Sequence, residues 1–439
     1  MQHHIPIQDL GPNGSGMAAA VTACVHCGFC LPSCPTYQEL GQEMDSPRGR
    51  IVLMKGVLEG SLDAADASLH IDRCLGCMAC ETACPSGVAY HELLLPYRAA
   101  RAADARRPIV ERLRRWLTLR TLPHPGRFRL AVRVGGLLRR LRPLTPAPLR
   151  PMLDLLPDAL PAPDRLPPVS AAVGARRARV ALLTGCVQQA LEPVINRATV
   201  DVLTRNGVEV VVPERQGCCG GLAWHIGEAD AARGSAAGLL AAFPEDVDAV
   251  VVNAAGCGSA MREYPLMFAG RPEEEAAHAL AGRTLDVSVF LDRLGIQPPP
   301  PLAAPLSVAY HDACHLCHAQ QVRAEPRRLL TAIEGLELLE LEDGELCCGS
   351  AGTYNIDQPA IAANLGRRKA AAVRRTGCDL VATGNIGCMV QVRSHLSAPG
   401  QPAAPPVVHT MQLLAAAYAG DLRVDRDHPG PPASHAGES

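Results

Sequence analysis

Two stretches decide how this chain is read: residues 24–35, Cys24-Val-His-Cys27-Gly-Phe-Cys30-Leu-Pro-Ser-Cys34-Pro35, and residues 74–85, Cys74-Leu-Gly-Cys77-Met-Ala-Cys80-Glu-Thr-Ala-Cys84-Pro85. Both follow the spacing C-x2-C-x2-C-x3-C-P. Three thiols two residues apart on one tight loop can take three irons of a single iron–sulfur cubane, and the small neighbours Gly28, Gly76 and Ala79 let backbone amides approach the sulfurs. The proline after each fourth cysteine ends the turn and removes a donor. A pair of zinc sites with four thiolates each is the competing assignment. It fits less well, because zinc sites usually pair two C-x2-C knuckles across a long gap and do not crowd four cysteines together twice over.

The fourth cysteine of each run lies beyond geometric reach of its own cluster, and in two-cluster ferredoxins it serves the other one. Cys24, Cys27, Cys30 and Cys84 are therefore assigned to one 4Fe-4S centre, and Cys74, Cys77, Cys80 and Cys34 to a second. Residues 35–73, between the runs, are richer in helix formers than in strand formers, as in Gly49-Arg-Ile-Val-Leu-Met-Lys-Gly-Val-Leu-Glu59. A helical ferredoxin-like domain is expected over residues 1–97.

Eight of the ten remaining cysteines form a repeat. Cys186, Cys218-Cys219-Gly220-Gly221 and Cys257 are answered by Cys314, Cys347-Cys348-Gly349-Ser350 and Cys388, at offsets of 128 to 131 residues. Near-constant offsets mean a duplicated domain. In the first copy the strand-like run Arg179–Thr184 precedes Cys186, a helical stretch (191–205) leads to the strand-like Val208–Pro213, and a second helix (229–242) leads to Asp248–Asn253 ahead of Cys257. Pro305–Tyr310, Leu336–Glu340, a helix near 360–375 and Leu380–Gly384 repeat the order. Strands alternating with helices mean a parallel sheet, whose ligands collect at the carboxyl ends of the strands, where these cysteines fall.

The expected fold is thus multidomain α and α/β. A helical two-cluster ferredoxin domain is followed by a basic helical and proline-rich linker (98–175), two cysteine-rich α/β domains with parallel sheets (176–297 and 305–420), and a disordered tail (421–439). Cys186, Cys218, Cys219, Cys257, Cys314, Cys347, Cys348 and Cys388 are weaker metal candidates, with ordinary buried cysteines as the alternative. Cys317 and Cys378 have no counterpart in the other copy and read as plain thiols. His225, after Trp224, and His311, between Tyr310 and Asp312, are candidate proton carriers, although a satisfied histidine is the commoner case.

The combination resembles the iron–sulfur subunit of bacterial glycolate oxidase (glycolate dehydrogenase), built from a two-cluster ferredoxin domain and two CCG domains. The resemblance covers about residues 20–420. It rests on the Cys24 run, on Asp45-Ser-Pro-Arg-Gly-Arg-Ile51, on Cys84-Pro-Ser-Gly-Val-Ala-Tyr-His91, on Glu345-Leu-Cys-Cys-Gly-Ser-Ala-Gly-Thr-Tyr354 and on Asn385-Ile-Gly-Cys388. It implies an electron-transfer subunit that takes electrons from an FAD-containing subunit oxidising glycolate to glyoxylate, alongside a second flavoprotein-like subunit, and passes them toward the quinone pool. The chain carries no flavin fingerprint of its own. Related CCG domains of heterodisulfide reductases end in C-x2-C and hold a non-cubane cluster. Here Ala260 and Gln391 stand at the last positions, so a further cluster, a redox-active thiol pair and an empty structural site all stay open. A CCG-type thiol/disulfide reductase, or the equivalent subunit of a glycerol-3-phosphate or lactate dehydrogenase, are the alternative functions.

Composition agrees with a packed, multidomain chain: 439 residues, 48% hydrophobic and 20% charged, with a formal charge of −2. That charge is uneven. Residues 98–150 hold 15 Arg, no Lys, and only Asp104 and Glu111 as acids, which leaves the rest of the chain strongly negative. Leu113, Trp116, Leu117 and Leu119 among Arg112, Arg114, Arg115 and Arg120 suit a surface for anionic lipid or an acidic partner, with a solvated interdomain helix as the alternative. Nucleic acid is not expected, because no stacking aromatics accompany the charge. With no signal peptide or apolar span, the expected location is the cytoplasm, peripherally on the inner face of the cytoplasmic membrane.

Overall fold

The computed structural model describes residues 4–101, 107–138, 143–146, 150–154, 156–157, 159–397 and 403–422. Asp104, Arg106, Arg139, Arg140 and Arg142 of the basic segment, and all but the first two residues of the expected tail, lie outside that range.

The first lobe is helical. It comprises α1 (Gly14–Ala23), α2 (Pro35–Leu40), α3 (Pro47–Leu58), α4 (Ala64–Asp72), α5 (Ala79–Thr82) and α6 (Tyr90–Arg101). Local chemistry starts these helices. Pro35 and Pro47 take first-turn positions, where a missing N–H costs nothing. Ser46 accepts from the Gly49 amide at 3.0 Å and Asp63 from the Ala65 amide at 2.9 Å. The helices α1, α3 and α6 bury Met17, Val21, Ile51, Met54, Leu93 and Leu94 against one another. The proline-rich region that follows also contains helices, α7 (Ile109–Thr121), α8 (Pro125–Leu138) and α9 (Arg150–Asp154).

Beyond it lie two sheets. The first has the order β1-β3-β2-β4-β5, with β1 (Val169–Ser170), β2 (Ala178–Leu183), β3 (Val208–Val211), β4 (Ala249–Val252) and β5 (Thr284–Asp286). The second has the order β7-β6-β8-β9, with β6 (Leu306–Tyr310), β7 (Leu336–Glu340), β8 (Leu380–Thr383) and β9 (Val407–His409). All pairs are parallel except β1–β3, where a two-residue strand from the proline-rich stretch adds an antiparallel edge. β5 and β9 are three residues each, too short to carry a periodic signal, and were not expected from the sequence. Pro193 also divides the helix expected over 191–205 into Val187–Leu191 and Val194–Arg205.

Alternate residues of β2 join different cores. Ala181 and Leu183 pack in the same cluster as Met17, Met54 and Leu93 of the helical lobe. Val180 and Leu182 pack with Val308, Leu380 and Val408 of the second sheet. The first sheet is therefore covered on both faces, which explains the unbroken apolar runs of β2 and β4. No helix among the described residues is long and apolar enough to cross a membrane.

Candidate iron–sulfur and thiol sites

Cys24, Cys27, Cys30 and Cys84 line one cavity of the helical lobe, together with Gly28, Arg48, Ile51 and Cys80. Cys34, Cys74, Cys77 and Cys80 line a second, together with Arg50 and Met78. The first cavity draws three thiols from the first run and Cys80 and Cys84 from the second, and the second draws three from the second run and Cys34 from the first. Pro47, Cys80 and Tyr90 belong to the walls of both. The two loops bend alike: His26 (φ 56°) and Gly76 (φ 65°) stand just before the second cysteine, and Gly28 (φ 88°) and Met78 (φ 59°) just after it. A left-handed residue on each side of the middle thiol turns the chain around the cavity, at a cost of about 1 kcal/mol where the residue is not glycine.

The segment Asp45–Ile51 braces both cavities. Arg48 donates from Nη1 to the His26 carbonyl at 3.0 Å and pairs with Glu43 at 2.7 Å. Gly49 has no room for a side chain, since a Cβ there would lie 1.9 Å from the Glu43 carbonyl oxygen. Arg50 is 1% exposed; it donates to the His70 carbonyl at 2.7 Å, pairs with Asp45 at 3.3 Å and directs Nη1 at Cys34 Sγ, 3.8 Å away. Fully buried Asp45 also pairs with Arg73 at 3.0 Å and lies 3.1 Å from His70 Nδ1.

These charges set the thiol chemistry. Burial pushes the Cys74 thiol up, but the Arg50 and Arg98 guanidiniums, the Gly76 amide and the Tyr90 hydroxyl outweigh it and hold it below the usual range. Burial also pushes up Cys24, Cys30 (to about 11), Cys77 and Cys80. Sulfurs raised in this way ionise when a cation lodges among them. Two neighbouring pockets lined by converging thiols, apolar side chains and arginines, each with four cysteines available as ligands, fit two 4Fe-4S groups.

The repeated cysteines make two further clusters. In the first copy Cys186 Sγ and Cys218 Sγ are 3.6 Å apart, with Cys219 and Cys257 adjoining. Cys218 and Gly220 face a cleft of about 1190 Å³ walled by Arg107, Arg112, Arg115, Trp116, Arg120 and His124. In the second copy Cys314 Sγ and Cys347 Sγ are 3.7 Å apart, Cys348 and Cys388 adjoin them, and all four are buried. Asn385 donates to Cys388 Sγ at 3.3 Å. The glycine after each cysteine pair is dictated by geometry. Gly220 (φ 77°) and Gly349 (φ 90°) are left-handed, and a Cβ would sit 2.6 Å from the Ala232 carbonyl oxygen in one copy and 2.7 Å from the Ala362 carbonyl oxygen in the other.

Of the other residues singled out, Trp224 is buried, and His225 stacks on His315 at 5.0 Å with Nε2 3.0 Å from Glu263. His311 is fully buried beside Cys348 and Cys388. Cys317 is buried, and burial pushes its thiol well up; Cys378 is partly buried and also raised by burial. Sequence reasoning missed Arg50, Asp45 and His315 as site residues. Burial and His225 push His315 down to about 3, and it accepts from or donates to Ser259 Oγ at 2.5 Å. The basic segment holds lobes together as well as facing solvent. Arg98 donates to the carbonyls of His225 at 2.8 Å and of Ile71 and Cys74 at 2.7 Å, and Arg114 pairs with Asp357 at 2.7 Å.

Comparison with known proteins finds a 4Fe-4S dicluster domain over residues 20–88 and a cysteine-rich domain twice, over residues 180–262 and 308–393. The chain is 39% identical over 411 residues to the probable glycolate oxidase iron-sulfur subunit of Bacillus subtilis (strain 168), covering 89% of this chain and 92% of that one. It is 37% identical over 387 residues to the glycolate oxidase iron-sulfur subunit of Escherichia coli (strain K12), covering 86% and 90%. Lactate utilization protein A of Shouchella clausii (strain KSM-K16) is 31% identical over 236 residues, which is 54% of this chain and 98% of that one.

Proposed function

Because the chain belongs to the family of glycolate oxidase iron–sulfur subunits, we propose that it relays electrons from a flavoprotein subunit, which oxidises glycolate to glyoxylate, toward the quinone pool. The observation that carries this reading is the pair of cysteine-lined cavities with a common wall at Pro47, Cys80 and Tyr90. Full-length similarity to the glycolate proteins favours glycolate over lactate, for which the relative matches only about half of this chain.

Each 4Fe-4S group, when bound, takes up and releases one electron. Cys24, Cys27, Cys30 and Cys84 would hold the first, and Cys74, Cys77, Cys80 and Cys34 the second. The protein's own residues set the rest. Arg50 and Arg98 put positive charge beside Cys74 and so favour an added electron at the second site. The Gly76 amide, 3.4 Å from Cys74 Sγ, acts in the same direction. The first site has one cysteine, Cys27, exposed at the surface, and the second is enclosed between α3, α6 and the second cysteine-rich copy. With Cys27 exposed, the first site is the one a redox partner would reach from the surface, and the wall at Pro47, Cys80 and Tyr90 would separate it from the enclosed site.

The outer face of α7 and α8 supplies the membrane side. Ile109, Trp116, Leu130 and Leu137 are more than half exposed there, among the exposed arginines Arg112, Arg120, Arg127 and Arg133, the α7 members also forming the rim of the open cleft before Cys218. Apolar side chains between arginines suit the headgroup region of an anionic leaflet.

Iron and acid-labile sulfide are counted on anaerobically purified protein, with EPR after reduction. About eight irons are expected for the two centres. Cys84→Ala should remove the centre of the first run and Cys34→Ala that of the second, each leaving about four irons. Loss of the opposite centre in each variant overturns the crossed assignment, and a chain without iron overturns the relay.

A further inference from the structure

The two cysteine-rich copies are not equivalent, and the difference lies in a histidine. His311 stands three residues before Cys314; the position three residues before Cys186 in the first copy is Leu183. His311 has no exposed surface, and neither of its ring nitrogens has a hydrogen-bond partner among the described residues. A buried imidazole left without partners costs on the order of 1–3 kcal/mol unless something takes up its lone pair. A ring nitrogen, Cys348 Sγ and Cys388 Sγ all lie within 4.8 Å of one another, and all three residues are buried. Cys314 and Cys347, 3.7 Å apart, complete the lining.

We propose that the second cysteine-rich copy is a closed site for a single zinc ion, held by His311, Cys348 and Cys388 with a fourth ligand from the Cys314–Cys347 pair. Three arguments converge on it. The first is size. Zn–S bonds of about 2.3 Å and Zn–N bonds of about 2.0 Å in a tetrahedron put ligand atoms a little under 4 Å apart, within the observed spread, whereas a cubane sets each thiolate on a different iron and pushes the sulfurs further apart. No trio of thiols in the helical lobe draws together to this degree among the described residues. The second is donor type. One imidazole with three thiolates is a common structural zinc set, and the lining is closed to water on all sides, as structural sites are. The third is the ligand count. Gln391 stands where the C-x2-C spacing would put a further thiol, and His311, the residue after β6, supplies a donor in its stead. Asn385 donates to Cys388 Sγ and stabilises it as a thiolate. The first copy has Leu183 at the position of His311 and lacks the enclosure, since Cys186 and Cys257 are partly exposed and Cys218 faces the basic cleft. The zinc proposal does not depend on the electron relay, whose eight cysteines lie elsewhere.

The test is metal analysis of the full-length chain expressed with iron and zinc both available. About one zinc per chain in addition to the iron is expected, with a zinc-edge absorption spectrum of three sulfurs and one imidazole nitrogen. Replacing zinc by cobalt should give the intense visible bands of a tetrahedral thiolate site. His311→Leu should weaken zinc retention against a competing chelator by at least about 100-fold, while Cys257→Ala in the first copy should leave it unchanged. The spectrum of the unaltered protein keeps the test decisive if His311→Leu folds poorly. Four sulfurs without nitrogen, zinc retained equally in His311→Leu, or iron above eight per chain with no zinc would each overturn the proposal.

Discussion

Arg50 and Asp45 form an ion pair at 3.3 Å in which neither side chain has more than 1% of its surface exposed, and Arg50 points its other nitrogen at Cys34 Sγ. The pair joins α3 to the second thiol cavity. Removing one partner of a buried pair leaves the other charge without compensation, typically at a cost of 3–5 kcal/mol. Asp45 keeps Arg73, so Arg50→Met should cost about 3 kcal/mol in denaturant unfolding, and Arg50→Lys less. The midpoint potential of the centre at Cys34 and Cys74 should fall in Arg50→Met, because a positive charge that favours the added electron is gone. An EPR redox titration reads that shift; an unchanged potential would remove Arg50 from the electrostatics of the site.

Gly49→Ala tests the same segment through space alone. A methyl group 1.9 Å from the Glu43 carbonyl oxygen forces α3 away from the turn before it. Overpacking of this kind usually costs 1–3 kcal/mol, and with backbone as the obstacle about 3 kcal/mol is expected. Arg48 and Arg50 flank the glycine and brace both cavities, so the variant should also purify with less iron. Full iron content at wild-type stability would show that the turn yields without disturbing the thiols.

The fold was legible in the sequence wherever covalent spacing or periodicity carried it. The two cysteine runs announced the thiol loops, and the constant offsets announced the duplication. What stayed hidden depends on approach between distant segments. Nothing near Tyr354 in sequence reveals that its hydroxyl donates to the Arg73 carbonyl at 2.8 Å. His311 reads in the sequence as a candidate proton carrier or a satisfied histidine, and only the approach of Cys348 and Cys388 makes it a candidate ligand. The strand Val169–Ser170 was masked by the prolines around it, and the arginines of residues 98–150 could not be sorted by sequence into those that tie lobes together and those that face solvent.

The exposed arginines of α7 and α8 make a separable prediction. The protein should sediment with vesicles containing an anionic phospholipid and not with purely zwitterionic ones, and salt should release it. Each arginine near a charged surface contributes about 1 kcal/mol, so Arg112→Ala and Arg120→Ala should each weaken binding several-fold. Trp116→Ala removes apolar contact and should weaken it without changing the salt dependence. Binding that ignores both salt and arginine would exclude the membrane role of this face.

His409 gives the protein an acid-sensitive joint. It ends β9 and caps the following helix (Thr410–Ala419): Nδ1 accepts from the Met411 amide at 3.1 Å, and Nε2 donates to the Asn253 carbonyl of the first copy at 2.8 Å. The bond accepted by Nδ1 requires the neutral ring with its proton on Nε2. Burial pushes its pKa down from the ordinary 6.5 to about 4. Between those values the unfolded chain binds the proton and the folded chain does not, so stability rises with pH across the window. The contribution is fully present above pH 6.5 and is lost as pH falls toward about 4, amounting to about 3 kcal/mol. His409→Gln should remove that slope while the remaining histidines keep theirs. The difference between wild-type and variant urea midpoints, followed down through the window, isolates the effect. If the two lines stay parallel, the ring is not held neutral, and the contact between the two cysteine-rich copies owes its stability to the apolar core alone.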